Sequence, residues 1–266
     1  MSTVIKLSSP LTHEFWEIPV LYEDAWLLAI DKPSGLLGSP DRSDPDRPSL
    51  MNLLHAGIAS AKPWARERNL TYLMNAHRLD FETSGVMLLA KAKPVLITLA
   101  NLFGSEKPYE KYLALAEGTP AEDQFEVNAS LAPHTAQPGL IRVDSRKGKR
   151  SRTLFRVRER FSRWTLLDAE PFTNRTHQIR VHLRHVRLPV VGDSLYGGKP
   201  LLLSRLKKVY RLKPNQAERP LLERVALHGE ELALAHPVNG EPLRITASWP
   251  KDLAVAVKYL RRYAVV

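Results

Sequence analysis

His77-Arg78-Leu79-Asp80-Phe81-Glu82-Thr83-Ser84-Gly85 is a polar loop set between two apolar runs of strand length, Leu70 to Met74 and Val86 to Ala90. Outward from it, Trp26 to Asp31 reads as a buried strand stopped by Lys32-Pro33-Ser34-Gly35. Ser39 to Pro48 carries the Pro, Asp and Ser of an exposed loop and ends at Ser49, an N-cap for an apolar-periodic helix through Met51, Leu53, Leu54 and Ile58. On the C-terminal side, Pro94 to Phe103 reads as a helix and Tyr109 to Ala116 as a strand ending near Gly118. Ser151 to Arg160 alternates, with Thr153, Phe155 and Val157 between arginines, and Trp164 to Ala169 is its expected hairpin neighbour. A short helix over Thr176 to Val186, strands over Val225 to Ala235 and Leu243 to Trp249, and a closing helix from Lys251 to Tyr263 follow. Strands adjoin strands more often than they alternate with helices, so the expected class is α+β with a mostly antiparallel or mixed central sheet. With no flexible linker, residues 20–266 are expected to form one catalytic domain, and residues 1–19 an N-terminal extension.

The chain has 266 residues, 44% of them hydrophobic, with mean hydropathy −0.26 and no apolar run long enough for a membrane-spanning helix. It has no Cys, which removes disulfides, thiolate zinc sites, iron–sulfur clusters and a Cys nucleophile. No basic stretch followed by an apolar one opens the chain, so the expected location is the cytoplasm. Net charge is +11 and pI near 9.9, pointing to a polyanionic partner. The excess is clustered. Arg142, Arg146, Lys147, Lys149, Arg150, Arg152, Arg156, Arg158 and Arg160 face only Asp144 and Glu159 along the same run, and Arg205, Lys207, Lys208, Arg211 and Lys213 form a second. Lys147, Lys149, Arg150, Arg152, Lys207 and Lys208 are the expected phosphate contacts.

Asp80 is the first candidate for chemistry, because a loop fixed by two buried strands is how a rigid scaffold presents a reactive group. Local spacing equally allows a turn cap, with the Asp80 carboxylate accepting from the Thr83 and Ser84 amides. Gly85 permits a sharp turn or a close approach to a ligand. Asn174-Arg175-Thr176-His177-Gln178-Ile179-Arg180-Val181-His182 is dense in donors. On a helix, Thr176, Ile179 and Leu183 share one face and Arg175, Gln178 and His182 another. Arg180 reaching a carboxylate in a cleft would hold it ionised; a basic helix face that binds phosphate is the alternative. The His spacings 177/182 and 182/185 do not match a zinc pair on one helix face, so no metal is expected. Phosphate-loop, nucleophile-elbow and dinucleotide fingerprints are absent from the sequence.

The loop from His77 to Gly85 resembles the His-Arg-Leu-Asp-x-x-Thr-Ser-Gly signature of RluA-type RNA pseudouridine synthases. Further segments resemble that family in the same order: Asp31 to Leu36, Lys111 to Leu115, Arg175 to His182, Pro189 to Gly197, and Leu227-His228 through His236-Pro237. The resemblance spans about residues 20–252. It implies that Asp80 is the catalytic carboxylate, that Tyr112 stacks on or packs against the target uracil, and that Arg180 pairs with Asp80. It also implies that Arg78 helps displace the target base, and that Arg175 and His177 contact RNA. The implied reaction flips out a uridine, breaks its C1′–N1 bond, rotates the uracil and rejoins it through C5, with neither metal nor cofactor. The implied partner is ribosomal or transfer RNA, and the expected state a monomer.

Two positions depart from the family pattern. Asn174 stands where a Gly is usual, and Asn tolerates the left-handed backbone such a turn would need. Glu110 stands where many relatives have Lys. A non-catalytic RNA-binding relative would lack the combination of Asp80, Tyr112 and Arg180, and a metal-dependent nuclease would need paired carboxylates that the sequence does not offer.

Overall fold

The structure is a computed structural model that describes residues 3–41, 44–104, 108–207, 209–210 and 217–265. In chain order the elements are β1 (Val4–Ser8), β2 (Phe15–Glu23), β3 (Leu27–Lys32), α1 (Leu50–Ala59), α2 (Pro63–Arg66), β4 (Met74–Asn75), β5 (Ser84–Ala90), α3 (Lys93–Gly104) and β6 (Tyr109–Glu117). Then come β7 (Gln124–Asn128), β8 (Leu131–Pro133), β9 (Ile141–Val143), β10 (Arg152–Arg160), β11 (Trp164–Pro171), α4 (Gln178–His185) and a 3-10 turn at Ser194–Tyr196. The chain closes with α5 (Leu203–Leu206), β12 (Leu227–Ala235), β13 (Pro242–Thr246) and α6 (Lys251–Tyr263). The class is α+β, and two compact units are resolved: residues 1–110 with 229–248, and residues 111–228 with 249–266.

In the first unit the strands run in the order β1-β2-β3-β5-β12, with β4 alongside β5 and β13 alongside β12. The β3–β5 ladder is antiparallel from Leu27↔Ala90 to Lys32↔Gly85. Both faces of this pair are buried. Leu28, Ile30, Met87 and Leu89 pack with Leu36, Leu50 and Leu54 on one side. Leu27, Ala29, Val86 and Leu88 pack with Leu99 and Leu232 on the other. That two-sided burial is why both strands read as continuous apolar runs rather than alternating ones. Ser49 caps α1 as its sequence suggests, accepting from the Asn52 amide at 3.3 Å.

The expected extension over residues 1–19 contributes β1 and the start of β2, and the boundary at residue 20 falls inside β2. β1 pairs β2 antiparallel, β2 pairs β3, and Ile5, Leu7 and Ile18 join the first core. The run from Leu70 to Met74 is not a strand as a whole: only Met74–Asn75 pairs, against Leu89 and Ala90 of β5.

In the second unit β6-β11-β10-β7 form the sheet in that order, and β8 pairs β9 as a separate ribbon. β11 is antiparallel to both β6 and β10, the hairpin expected from Trp164 onward. α4 begins two residues later than its sequence suggests, at Gln178, and packs on β9, β10 and β11. α6 runs from Lys251 to Tyr263 as expected and buries Leu253, Ala256, Val257 and Leu260.

Candidate active site

Asp80 lies half-buried on the loop between β4 and β5, and the turn after it is closed by the Thr83 amide donating to the Asp80 carbonyl oxygen at 3.1 Å. The turn at Lys32-Pro33-Ser34-Gly35 grips this loop from beside it. The Gly35 amide donates to the Phe81 carbonyl at 2.9 Å, and Ser34 Oγ to the Glu82 carbonyl at 2.6 Å. Lys32 is fully buried, and its Nζ donates to the carbonyls of Pro33 and Leu36, each at 2.7 Å, and of Phe81 at 3.4 Å. A buried ammonium satisfied by backbone carbonyls orders the two turns as one piece. In sequence this turn reads as a strand end and as one of the segments that resemble the family, but nothing there marks it as the clamp on the Asp80 loop.

Gly85 has φ +126°, and a Cβ there would sit 2.2 Å from the Gly229 carbonyl oxygen and 2.5 Å from its nitrogen. The close approach that Gly85 permits is thus made by the backbone of β12. His77 is buried, lies parallel to Phe103 at 5.0 Å, and accepts from the Leu88 amide on Nε2 at 3.0 Å. Its proton therefore sits on Nδ1, 3.7 Å from Glu110 Oε1. Burial pushes the His77 imidazole down to about 4, so the ring is neutral. Thr83 Oγ1 is buried without a hydrogen-bond partner among the described residues. Arg78 is exposed.

In the second unit, Tyr112 sits on β6 opposite Ala169 of β11 and is 8% exposed. Arg180 is 2% exposed on α4 and makes a bidentate pair with Asp193, Nε to Oδ2 at 2.7 Å and Nη2 to Oδ1 at 2.8 Å. Asp193 also accepts from the Tyr196 amide on Oδ1 at 3.3 Å, and the Arg180 guanidinium lies 5.1 Å from the Tyr196 ring centroid. Nothing within Arg175 to His182 marks Asp193 as the partner of Arg180, although Asp193 and Tyr196 stand in the Pro189 to Gly197 segment.

His177 caps α4 in the left-handed region, φ 55°, with Nδ1 2.7 Å from the Tyr196 hydroxyl. The positive φ at this turn belongs to His177 and not to Asn174, which is where the sequence suggested it. Gln178 and His182, expected on a basic face with Arg175, are buried instead. Gln178 Nε2 donates to the Arg152 carbonyl at 3.0 Å and to Thr153 Oγ1 at 2.9 Å, and His182 Nδ1 lies 2.9 Å from the same hydroxyl. They tie α4 to β10, while Arg175 stays exposed before the helix.

The arginines of β10 do not form an uncompensated face. Arg152 pairs with Glu126 at 2.6 Å and Arg158 with Asp168 at 2.6 Å, while Arg156 pairs with Glu170 and Arg160 with Asp123. The acids come from β7, the residue before it, and β11, so a count along the run itself could not find them. Lys147, Lys149 and Arg150 are exposed on the turn after β9. Lys207 is exposed at the end of α5, with Nζ 6.0 Å from the Tyr263 ring centroid; Lys208, Arg211 and Lys213 lie outside the described residues. Among the described residues, no helix is long and apolar enough to cross a membrane.

Residues 26–185 match the family model described as RNA pseudouridylate synthase. The chain is 36% identical over 246 residues to ribosomal large subunit pseudouridine synthase D of Xanthomonas campestris pv. campestris, covering 91% of this chain and 69% of that protein. It is 34% identical over 252 residues to ribosomal large subunit pseudouridine synthase C of Yersinia pestis, covering 93% and 70%. Among solved structures, human RNA pseudouridylate synthase domain containing 4 shares the fold with a TM-score of 0.66 at 23% identity, covering 91% of this chain and 92% of that one.

Proposed function

The chain belongs to the RNA pseudouridylate synthase family, and we propose that it isomerises uridines of ribosomal RNA through the carboxylate of Asp80. The observation that carries this reading is the way Lys32, Ser34 and Gly35 hold the carbonyls of Phe81 and Glu82, so that the chain immediately after Asp80 is fixed in place. A carboxylate held in place suits attack on, or charge stabilisation at, C1′ as the C1′–N1 bond breaks. The uracil then rotates and C1′ joins C5; the C5 proton leaves and N1 gains one, so no atom is lost from the nucleotide. Tyr112 supplies a stacking face for the extruded base, a contact worth ~1–3 kcal/mol in single-stranded sites. Arg180, with its orientation fixed by Asp193, serves as the cationic partner of the Asp80 carboxylate. Arg78 takes the place of the displaced base, and Arg175 and His177 flank the RNA path. Lys147, Lys149, Arg150, Lys207 and Lys208 supply phosphate contacts, and Arg152 joins them by exchanging Glu126 for a phosphate. Residues 20–266 carry every proposed site residue, residues 1–19 complete their sheet through β1 and the start of β2, and the chain works as a cytoplasmic monomer; the names of the relatives, both ribosomal, support that location.

Asp80→Asn keeps size and most hydrogen bonding but removes the charge. Incubated with large-subunit ribosomal RNA transcribed in vitro, the variant is expected to stay folded, bind the RNA and make no pseudouridine by chemical mapping. Wild-type turnover in Asp80→Asn would remove that carboxylate from its role.

A further inference from the structure

We propose that a cationic pocket between β9 and the C-terminal end of α4 binds a phosphodiester of the substrate RNA. The cavity holds about 420 Å³ and is walled by Ile141, Val143, Val181 and Tyr196 with Arg142, Arg184, His185 and Arg187. All eight belong to the second unit.

Three observations converge on an anion. First, Arg184, His185 and Arg187 are exposed, and none is in an ion pair among the described residues, in contrast to Arg152, Arg156, Arg158 and Arg160 of β10. Second, Arg142 uses Nη2 on Asp144 at 2.7 Å, while its Nε is buried without a hydrogen-bond partner among the described residues. Asp144 offsets one charge of the three that Arg142, Arg184 and Arg187 bring to this wall, and the guanidinium fork is suited to phosphate. Third, the lining combines a firm apolar wall with cations, so a sugar can pack while its phosphate is held.

Two local features oppose an anion, and both are outweighed. Asp144 is already engaged by Arg142 and by the amides of Arg146 and Lys147, at 3.0 and 2.9 Å. The helix end contributes about half a negative charge, which stabilises the arginines there without an acid and leaves their donors available. The same turn after β9 carries Lys147, Lys149 and Arg150, all exposed, so the pocket continues the basic surface already proposed.

The inference rests on the reading that ribosomal RNA is the substrate. The test measures binding of the in vitro transcribed large-subunit ribosomal RNA across a salt series for the full chain. Arg184→Gln/Arg187→Asn removes two charges, with Asn chosen because Arg187 has φ 63°. Its log–log salt slope is expected to flatten by about 0.7 per lost contact, so by about 1.4 in all. Arg184→Lys/Arg187→Lys keeps the charges and is expected to restore most of the slope, which a loss of folding would not allow. Arg156→Gln/Arg160→Gln, which removes paired arginines, is expected to change it little. An unaltered slope in Arg184→Gln/Arg187→Asn overturns the pocket. So does competition by millimolar inorganic phosphate that is as strong against that variant as against wild type. If wild type itself makes no pseudouridine in this RNA, the substrate reading fails separately.

Discussion

At the scale of single residues, His77 shows how burial becomes a pH dependence. Its folded value is lowered to about 4 against 6.5 for the free imidazole, because the ring is buried. The unfolded chain therefore takes up a proton first as pH falls. The stabilisation is fully present above about 6.5 and is lost between there and about 4, roughly 3 kcal/mol in all and about 2 kcal/mol by pH 5. His182 is shifted the same way, by burial between Thr153 and the Ala129 carbonyl. His77→Gln has no group to titrate there. Urea unfolding at pH 7 and pH 5 is expected to show the gap between wild type and His77→Gln narrowing by about 2 kcal/mol. A gap that stays constant would mean that the neutral ring is not what burial selects. The sequence placed His77 correctly in a signature loop, but nothing in the linear text marks it as the anchor of that loop. Its partners are a β5 amide eleven residues on, Phe103 of α3 and Glu110 of β6.

At the scale of elements, what could be read depended on whether the partner lay in the same stretch of chain. α6 and β5 were legible from their own periodicity and apolar content, and the α1 N-cap from Ser49 alone. The neutralisation of β10 was not, since Glu126, Asp168, Glu170 and Asp123 reach its arginines from other strands and loops. α4 is the sharpest case. Its sequence reads as a donor-rich basic helix, yet Gln178 to Leu183 are buried without a gap, and Arg180 is clamped by Asp193 thirteen residues away. That geometry sets the expectation for Arg180→Met. Losing the guanidinium leaves the Asp193 carboxylate buried with its charge uncompensated, so the variant is expected to lose about 3–5 kcal/mol of stability as well as activity. Chemical unfolding measures the first and pseudouridine mapping the second. A stability loss below about 1 kcal/mol would show that the clamp is not structural, whatever happens to turnover.

At the scale of the whole chain, the charge that first pointed to RNA and the segment set aside as an extension turn out to be questions of what the tertiary structure pairs. The first 19 residues carry Pro10 and Pro19, exposed Leu11 and Phe15, and only a short alternation, which is why they resemble an appendage in sequence. In the fold, Ile5 and Ile18 are fully buried and Leu7 nearly so, and β2 covers the edge of β3. Burying a side chain of this size contributes about 1.5–3 kcal/mol, so three of them amount to a large part of the 5–15 kcal/mol that holds a typical domain together. Deleting residues 1–19 also removes β1 and cuts β2 after Pro19, exposing the apolar faces of Leu28, Ile30 and Leu54 to solvent. The truncated chain is expected to aggregate or to melt at least 10 °C below the full chain, as read by circular dichroism and size-exclusion chromatography, and to lose activity with its fold. A truncated chain that melts within about 3 °C of the full one and still makes pseudouridine would show that β1 and the start of β2 are dispensable, and that the catalytic domain begins near residue 20.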